Sequence, residues 1–512
     1  MKKLGKILSL VIATLCAVTM TACGGSGSGE ESFDSEGKTV LHVVAINKGY
    51  GTNWLTETAK IFETQHTDVK VKVSVVYDDT IIQNKLESGA EYCDYDLMFT
   101  GSYQIAKNKW LADLSDVYSS TLAGKTETIA ELMDPTLEQA FQSQDGSYHM
   151  MPWTSGINGL LVNYEAANKL FGEGWENTYK LRTTDEVLEF AAAIKAKGAN
   201  AFGHCANSHY YHFLYETWWA QYEGLQGIVD YYNGVYYDAF GEKQVGPEVV
   251  LQQGRLESLK VMEDIFSAGY SDPRSNGNTF EVTQTYFMLG EFVMFSNGDW
   301  NNLEMSKSFP NTDIRFYKTP VISALGTKLG ISEDQLLEII DYIDGTTTEK
   351  PAVSDEMIET VREARAFVHT YADAHTMAIP VYSKNIDLAK EFIKLMISDV
   401  GQQAYATATG GLSMGYSYDL ETHPNYNSFS NFAKSRWNVA KDARYYLLKE
   451  SKFGDVGLTS FRCKDIAPLP VALSRTYDRK TAQYLYEYDY NYWNGQNWSS
   501  LVVLANSASK KD

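Results

Sequence analysis

Hydrophobic positions between Thr39 and Val76 follow two different periods. Val40 to Ile46 is a nearly continuous apolar, β-branched run, the pattern of a strand covered on both faces, whereas Val69, Val71, Val73 and Val75 alternate with Lys70, Lys72 and Ser74. Between them Trp54, Leu55, Thr58, Ile61 and Phe62 recur at helical spacing from about Asn53 to His66, with Asn53 placed to cap the first turn. This predicts a strand–helix–strand unit. Ligands of such units sit beyond the carboxyl end of the strand, so the loop from Asn47 to Thr52 is the expected binding position. Its two glycines, one cation and one aromatic make Asn47, Lys48 and Tyr50 candidate contacts.

The pattern continues with Tyr95 to Phe99, a short apolar run that predicts a strand, followed by the loop Thr100-Gly101-Ser102-Tyr103. Tyr148 to Tyr164 holds Pro152-Trp153 and then a core strand through Leu160, Leu161 and Val162. A helix is predicted from Thr184, as N-cap, through Val187, Leu188, Phe190 and Ile194. The run His209 to Trp219 carries more rings than one helix face needs for packing. Such rings suit sugars, whose C–H faces lie flat on an aromatic while their hydroxyls reach polar neighbours, and Tyr210 and Tyr211 are the candidates here. Thr279 to Trp300 predicts a helix ending at Gly290, a strand, and then Gly298-Asp299-Trp300. There the glycine lets the chain turn into a cleft, Trp300 offers a ring face, and Asp299 can accept hydroxyl hydrogen bonds. Gly330 to Tyr371 is acidic and helical in pattern. Ala378-Ile379-Pro380 and a helix through Ala389, Phe392, Ile393 and Met396 follow, then the turn Gly410-Gly411-Leu412-Ser413. From about Tyr418 the chain is helical and rich in Tyr and Trp, and the even spacing from Tyr484 to Tyr492 suits a strand as well as a helix.

Three of these segments carry a resemblance. The strand and glycine loop leading into W-x(6)-IFE and V-K-V-x-V, the P-x(6)-G-x-x-x-N segment around Trp153, and Phe287 to Trp300 together resemble the extracellular solute-binding proteins of ABC importers, in the family that includes the maltose-binding protein. Phe292-Val293-Met294 departs from that family's small residue before the G-x-W. Matching segments run intermittently from about residue 40 to 415, and Gly330 to Tyr371 reads as an insertion. The resemblance implies an α/β, two-lobe periplasmic-binding-protein-like fold with three crossovers, a hinge and an interlobe cleft. Residues 39–154 and 316–398 are expected in the N-terminal lobe, and residues 155–315 and 399–512 in the C-terminal lobe. It further implies ligand contacts at Ser102 and Tyr103, at Trp153 and Asn158 near the hinge floor, and at Tyr210, Tyr211, Asp299 and Trp300. The implied function is capture of a carbohydrate, a neutral oligosaccharide, by hinge closure and its delivery to an ABC permease, without catalysis and with no cofactor, by a monomer. A buried tryptophan before a core strand is the competing account of Trp153.

The N-terminus places this molecule. Lys2, Lys3 and Lys6 precede an apolar run from Ile7 to Met20, too short to span a bilayer comfortably, and Met20-Thr21-Ala22-Cys23 with the following Gly/Ser tract reads as a lipoprotein signal. Residues 1–22 are expected to be removed, Cys23 to carry the lipid and residues 23–38 to act as a flexible tether, holding the protein at the outer face of the cytoplasmic membrane. Processing removes three lysines and no acids, so the formal charge moves from −21 to −24. A surface this acidic argues against nucleic acid and leaves neutral ligands unaffected. Cys93, Cys205 and Cys463 remain, an odd number that cannot all pair internally. Gly124-Lys125-Thr126 lacks the first glycine and the preceding strand of a phosphate loop. His204, Cys205, His209 and His212 lack a second ligand pair at zinc-site spacing, so no metal is expected. No nucleophile elbow, H-E-x-x-H or dinucleotide fingerprint is present. The alternatives are a glycan-binding adhesin or sensor lipoprotein that does not serve transport, and a surface glycoside-active enzyme.

Overall fold

A computed structural model describes residues 37–101, 108–143, 145–206, 209–446, 451–460, 467–474 and 477–508. Its strands are β1 (Thr39–Ile46), β2 (Val69–Val76), β3 (Leu97–Phe99), β4 (Met151–Pro152), β5 (Ile157–Asn163), β6 (Asn200–Gly203), β7 (Val235–Tyr237), β8 (Lys243–Val245), β9 (Phe292–Gly298), β10 (Ile314–Tyr317), β11 (His369–Thr370) and β12 (Thr376–Ala378). Two mixed sheets result. The first runs β2-β1-β3-β12-β4 and the second β10-β5-β9-β6, with β11 also paired to β5; β7 and β8 form a separate hairpin. Each sheet with its helices is one lobe of an α/β, two-lobe fold.

The opening unit forms as its pattern predicts. Leu41, Val43, Val44 and Ala45 are fully buried in β1, which pairs in parallel with β2 from Thr39 opposite Val69 to Ile46 opposite Val76. Helix Asn53–Gln65 covers this pair by burying Trp54, Leu55, Thr58, Ala59 and Phe62. Thr52 rather than Asn53 takes the N-cap position, and the Trp54 indole N–H donates to the Gly51 carbonyl at 3.0 Å. Likewise Thr183, one residue before the expected Thr184, caps helix Thr184–Ala196. The Tyr484–Tyr492 segment is helical, within Ala482–Trp493, because Leu485, Tyr486, Asp489 and Trp493 share its buried face.

The chain crosses between the sheets from β4 to β5, from β11 to β12, and again between helix Asp399–Thr409 and helix Asn431–Ala440. Two parts of the expected lobe division are therefore corrected. β10 and the helices Glu333–Ile343 and Asp355–Ala366 belong with the second sheet: Phe316 lies opposite Leu161 of β5, and Leu336, Ile339, Ile340, Ile358 and Val361 share a core with Leu160 and Val162. The return to the first sheet comes near residue 371, not near 316. Conversely, helix Asp399–Thr409 packs on helix Asn53–Gln65, so it sits in the first lobe. Cys93 and Cys205 are buried free thiols, while Cys23, Cys463, Ser102 and Tyr103 lie outside the described residues. Among the described residues no helix is long and apolar enough to cross a membrane.

Candidate functional site

The loop after β1 meets the end of β9. Trp300 opens helix Trp300–Met305 directly after β9, and its ring lies over Gly298, where an added Cβ would fall 2.1 Å from a ring carbon. From the other lobe Gly49 approaches so closely that its Cβ would be 2.7 Å from that of Trp300. Glycine is needed at both positions for close approach, not for an unusual φ. Around the indole, Tyr371 lies nearly parallel at 6.2 Å, while Tyr50, Tyr210 and Phe213 stand edge-on at 6.2, 5.8 and 6.2 Å. Tyr50 also meets His375 at 5.1 Å and Trp153 at 5.6 Å, both edge-on. The outcome is a continuous cluster of rings where the lobes touch.

One ion pair anchors this cluster. Asp299 is fully buried and accepts from the Tyr50 hydroxyl at 2.9 Å through Oδ1. Its Oδ2 accepts from Arg436 Nε at 3.0 Å and Nη2 at 2.8 Å, and the same guanidinium donates to the hydroxyls of Ser413 and Ser155. Both side chains are wholly removed from solvent, so each charge depends on the other: an isolated buried carboxylate would be strongly disfavoured. Burial, and then the Asp299 carboxylate, push the Tyr50 phenol well above its ordinary range, so it remains a hydrogen-bond donor. Burial lowers the His375 imidazole, whose Nδ1 donates to the Tyr371 carbonyl at 2.8 Å, and keeps it neutral.

The other candidates fall into separate places. Trp153 is buried, stacks on Trp54 at 4.9 Å and donates from its indole to the Thr100 carbonyl at 2.7 Å, so it supports Tyr50 from below. Lys48 is half-exposed at the rim and pairs with Asp79 at 2.8 Å; the other oxygen of Asp79 accepts from the Gly101 amide. Asn47 binds Val76 through its backbone amide. Asn158 is fully buried in β5, donating to the Gly156 carbonyl at 3.1 Å and to His369 Nδ1 at 3.0 Å. Tyr210 joins the ring cluster. Tyr211 points elsewhere, its hydroxyl bonded to His209 at 2.8 Å and to the Leu469 amide at 3.4 Å. His204, His209 and His212 do not converge, since His204 is taken up by Ser271 and Asn276.

Arg436, Tyr371, Phe213, His375, Ser155 and Ser413 are the residues that local pattern did not single out as contacts. Ser155, between Trp153 and Asn158, and Phe213, in the run from His209 to Trp219, lay in segments already expected near the ligand, whereas Arg436 and His375 did not. A cavity of about 400 Å³ lined by Ser155, Ser413, Tyr416, Trp437 and Tyr445 opens beside the Arg436 anchor. Another of about 540 Å³ is lined by Lys318, Arg362, Arg365 and Arg444, but Asp344 holds Lys318 and Arg365, Glu359 holds Arg362, and Asp134 holds Arg444. Lys441 lines it too, so four of its five cations are already paired.

Comparison with known proteins agrees with this architecture. RafE from Streptococcus pneumoniae in its apo form superposes with a TM-score of 0.54 at 15% identity, covering 94% of this chain and 98% of that one. RafE in complex with raffinose gives 0.54 at 15% identity, covering 89% and 99%. The ABC substrate-binding protein Lmo0181 from Listeria monocytogenes, in complex with cycloalternan, gives 0.51 at 13% identity, covering 89% and 98%. Similarity at this level establishes the fold. No curated protein sequence matches significantly. The profile of the bacterial extracellular solute-binding protein family matches residues 57–433, most of the chain, and with the two-lobe fold and its ring-lined junction this shows that the chain belongs to the bacterial extracellular solute-binding proteins.

Proposed function

We propose that this chain is the lipid-anchored substrate-binding component of an ABC importer, and that it captures a neutral oligosaccharide between its lobes and presents it to a permease. The observation that carries the ligand class is the ring cluster around Trp300. It offers apolar faces from both lobes, and Arg436, the cation that anchors it among the described residues, is committed to Asp299, so it suits a sugar better than a phosphate ester or an amino acid. That RafE binds raffinose and Lmo0181 binds cycloalternan supports the same class. Trp300 is 7% exposed with Gly49 against it, so entry of a ligand requires the lobes to part. Ligand then favours the closed form because only that form supplies contacts from both sides. Each sugar hydrogen bond nets only about 0.5 to 1.5 kcal/mol and each ring contact about as much, so several of each are needed for micromolar affinity. The anchor is assigned to Cys23, with the Gly/Ser tract as tether.

A thermal-shift screen of the chain from Gly24 onward, against neutral oligosaccharides with amino acids and phosphate esters as controls, tests this. The expected outcome is a raised midpoint with one class of glycan, no product formed, and an affinity at least about tenfold weaker in Trp300→Phe, which keeps a ring but loses area. A shift with a charged control and with no sugar would overturn the carbohydrate assignment. Replacing Cys23 by Ala in the full chain is expected to move the protein from the membrane fraction to the medium.

A further inference from the structure

The geometry points to a metal-binding site beneath the ring cluster: we propose that His212, Glu216 and His369 together hold a transition-metal ion of the zinc class. His212 and Glu216 are four residues apart at the start of helix His212–Tyr232, so they project from one face. His369 comes from β11, more than 150 residues later, and is set beside them by its pairing with Asn158 of β5. One donor atom from each of the three lies within 4.8 Å of the other two, and His369 Nε2 is already 3.6 Å from Glu216 Oε2. Donors around a tetrahedral zinc at about 2.1 Å stand roughly 3.4 Å apart, so side-chain rotation alone closes the set.

The surroundings orient the donors as a metal site requires. His212 donates from Nδ1 to the His209 carbonyl at 2.5 Å, which turns the Nε2 lone pair toward the cluster. The carbonyl is delivered by His209 itself, in the left-handed region at φ 59°. Ser460 donates to Glu216 Oε1 at 2.5 Å and so leaves Oε2 to face His369. The Oδ1 of Asn158 is buried and without a partner, while its Nδ2 faces His369 Nδ1. Turning that amide puts the oxygen opposite His369 Nδ1–H and frees the His369 Nε2 lone pair; the bond to the Gly156 carbonyl is what the ion must offset. Charge favours a cation as well. Among the described residues no lysine or arginine pairs with Glu216, whose mostly buried carboxylate is left to the Ser460 hydroxyl and the two imidazoles. Two imidazoles and one carboxylate select zinc, cobalt or nickel over calcium or magnesium.

The Tyr371 hydroxyl donates to His212 Nε2 at 3.1 Å, a second bond that the ion must displace, and its ring faces Trp300. A bound ion would therefore tie helix His212–Tyr232 to the strand that enters the second crossover and brace one wall of the ring cluster. This reading does not depend on the identity of the transported ligand.

The test uses chain purified without a histidine tag and stripped with a chelator, then titrated with Zn²⁺ alone. One equivalent retained after desalting is expected, with a higher thermal midpoint. Loading with Co²⁺ instead is expected to give the intense visible d–d bands of four-coordinate geometry. Glu216→Gln and His369→Ala should each weaken zinc binding at least about tenfold while the chelated variants keep the wild-type circular dichroism. Less than a tenth of an equivalent in the wild type, a six-coordinate Co²⁺ spectrum, or full stoichiometry retained in both variants would each overturn the site.

Discussion

Asp373 lies in the second crossover, and burial pushes its carboxyl up to about 6, against 3.8 for a free side chain. Between about pH 4 and pH 6 the folded protein thus binds more protons at this residue than the unfolded chain does, so stability falls as pH rises through that window. Asp373→Asn removes the charge and with it the loss. We expect the variant to be more stable than wild type at pH 7 by roughly 1 to 3 kcal/mol and equal to it near pH 4, as read by urea unfolding at the two pH values. At this scale the legibility of the site was uneven. Trp300 stood out because its environment is local: the glycine two residues before it gives the ring room. Arg436 did not, because its partner Asp299 is 137 residues away and helix Asn431–Ala440 contains nothing that distinguishes this arginine from a solvated one. Asp299 itself was expected to face a ligand, yet both of its oxygens are engaged by Tyr50 and Arg436.

Among the elements, helix Ala482–Trp493 is held to helix Gln253–Ser267 by a wholly buried ion pair between Asp489 and Arg255, with the Ser460 carbonyl also accepting from the guanidinium. Asp489→Leu alone strands a buried cation and should cost about 3 to 5 kcal/mol, whereas Asp489→Leu with Arg255→Met should recover most of it. Urea midpoints of the two variants check this; equal destabilisation in both would show that the pair contributes through packing instead. The strands and helices follow the apolar period where it is regular, as in β1, β2 and the helix between them. Boundaries slipped by one residue at Thr52 and Thr183, where the residue just before the expected one takes the cap position, extended and accepting from the Glu186 amide at Thr183 but without a side-chain bond at Thr52. Tyr484 to Tyr492 stayed ambiguous because alternate tyrosines satisfy a strand, and only packing of Leu485, Tyr486 and Asp489 on one side decides for a helix.

For the whole molecule, the contact of Gly49 with Trp300 is a place where the lobes meet closely. A methyl group there would lie 2.7 Å from Trp300 Cβ and 2.9 Å from Cγ, atoms close to the backbone that cannot swing aside. Gly49→Ala should therefore hold the lobes apart without disturbing either core. The expected results are a larger radius of gyration by small-angle X-ray scattering, a loss of glycan affinity of about tenfold or more, and a thermal midpoint without ligand within a few degrees of wild type. An unchanged radius and affinity would mean that the junction is not the closing surface.

The sequence by itself determined the opening strand–helix–strand unit and the helix, strand and Gly298-Asp299-Trp300 turn, since these depend on hydrophobic period and on residues a few positions apart, while the two-lobe α/β class was implied by the resemblance of three segments to a known family. Tertiary structure decided the rest. It placed β10 and the acidic helical insertion in the second lobe, because strand partners are chosen by surfaces that come together only on folding. It also assembled Tyr50, Trp300, Tyr371 and Arg436 into one cluster, and His212, Glu216 and His369 into another. Helical spacing brings His212 and Glu216 to one face, but the other members of each group come from segments far apart in the chain, where no spacing records that they will meet.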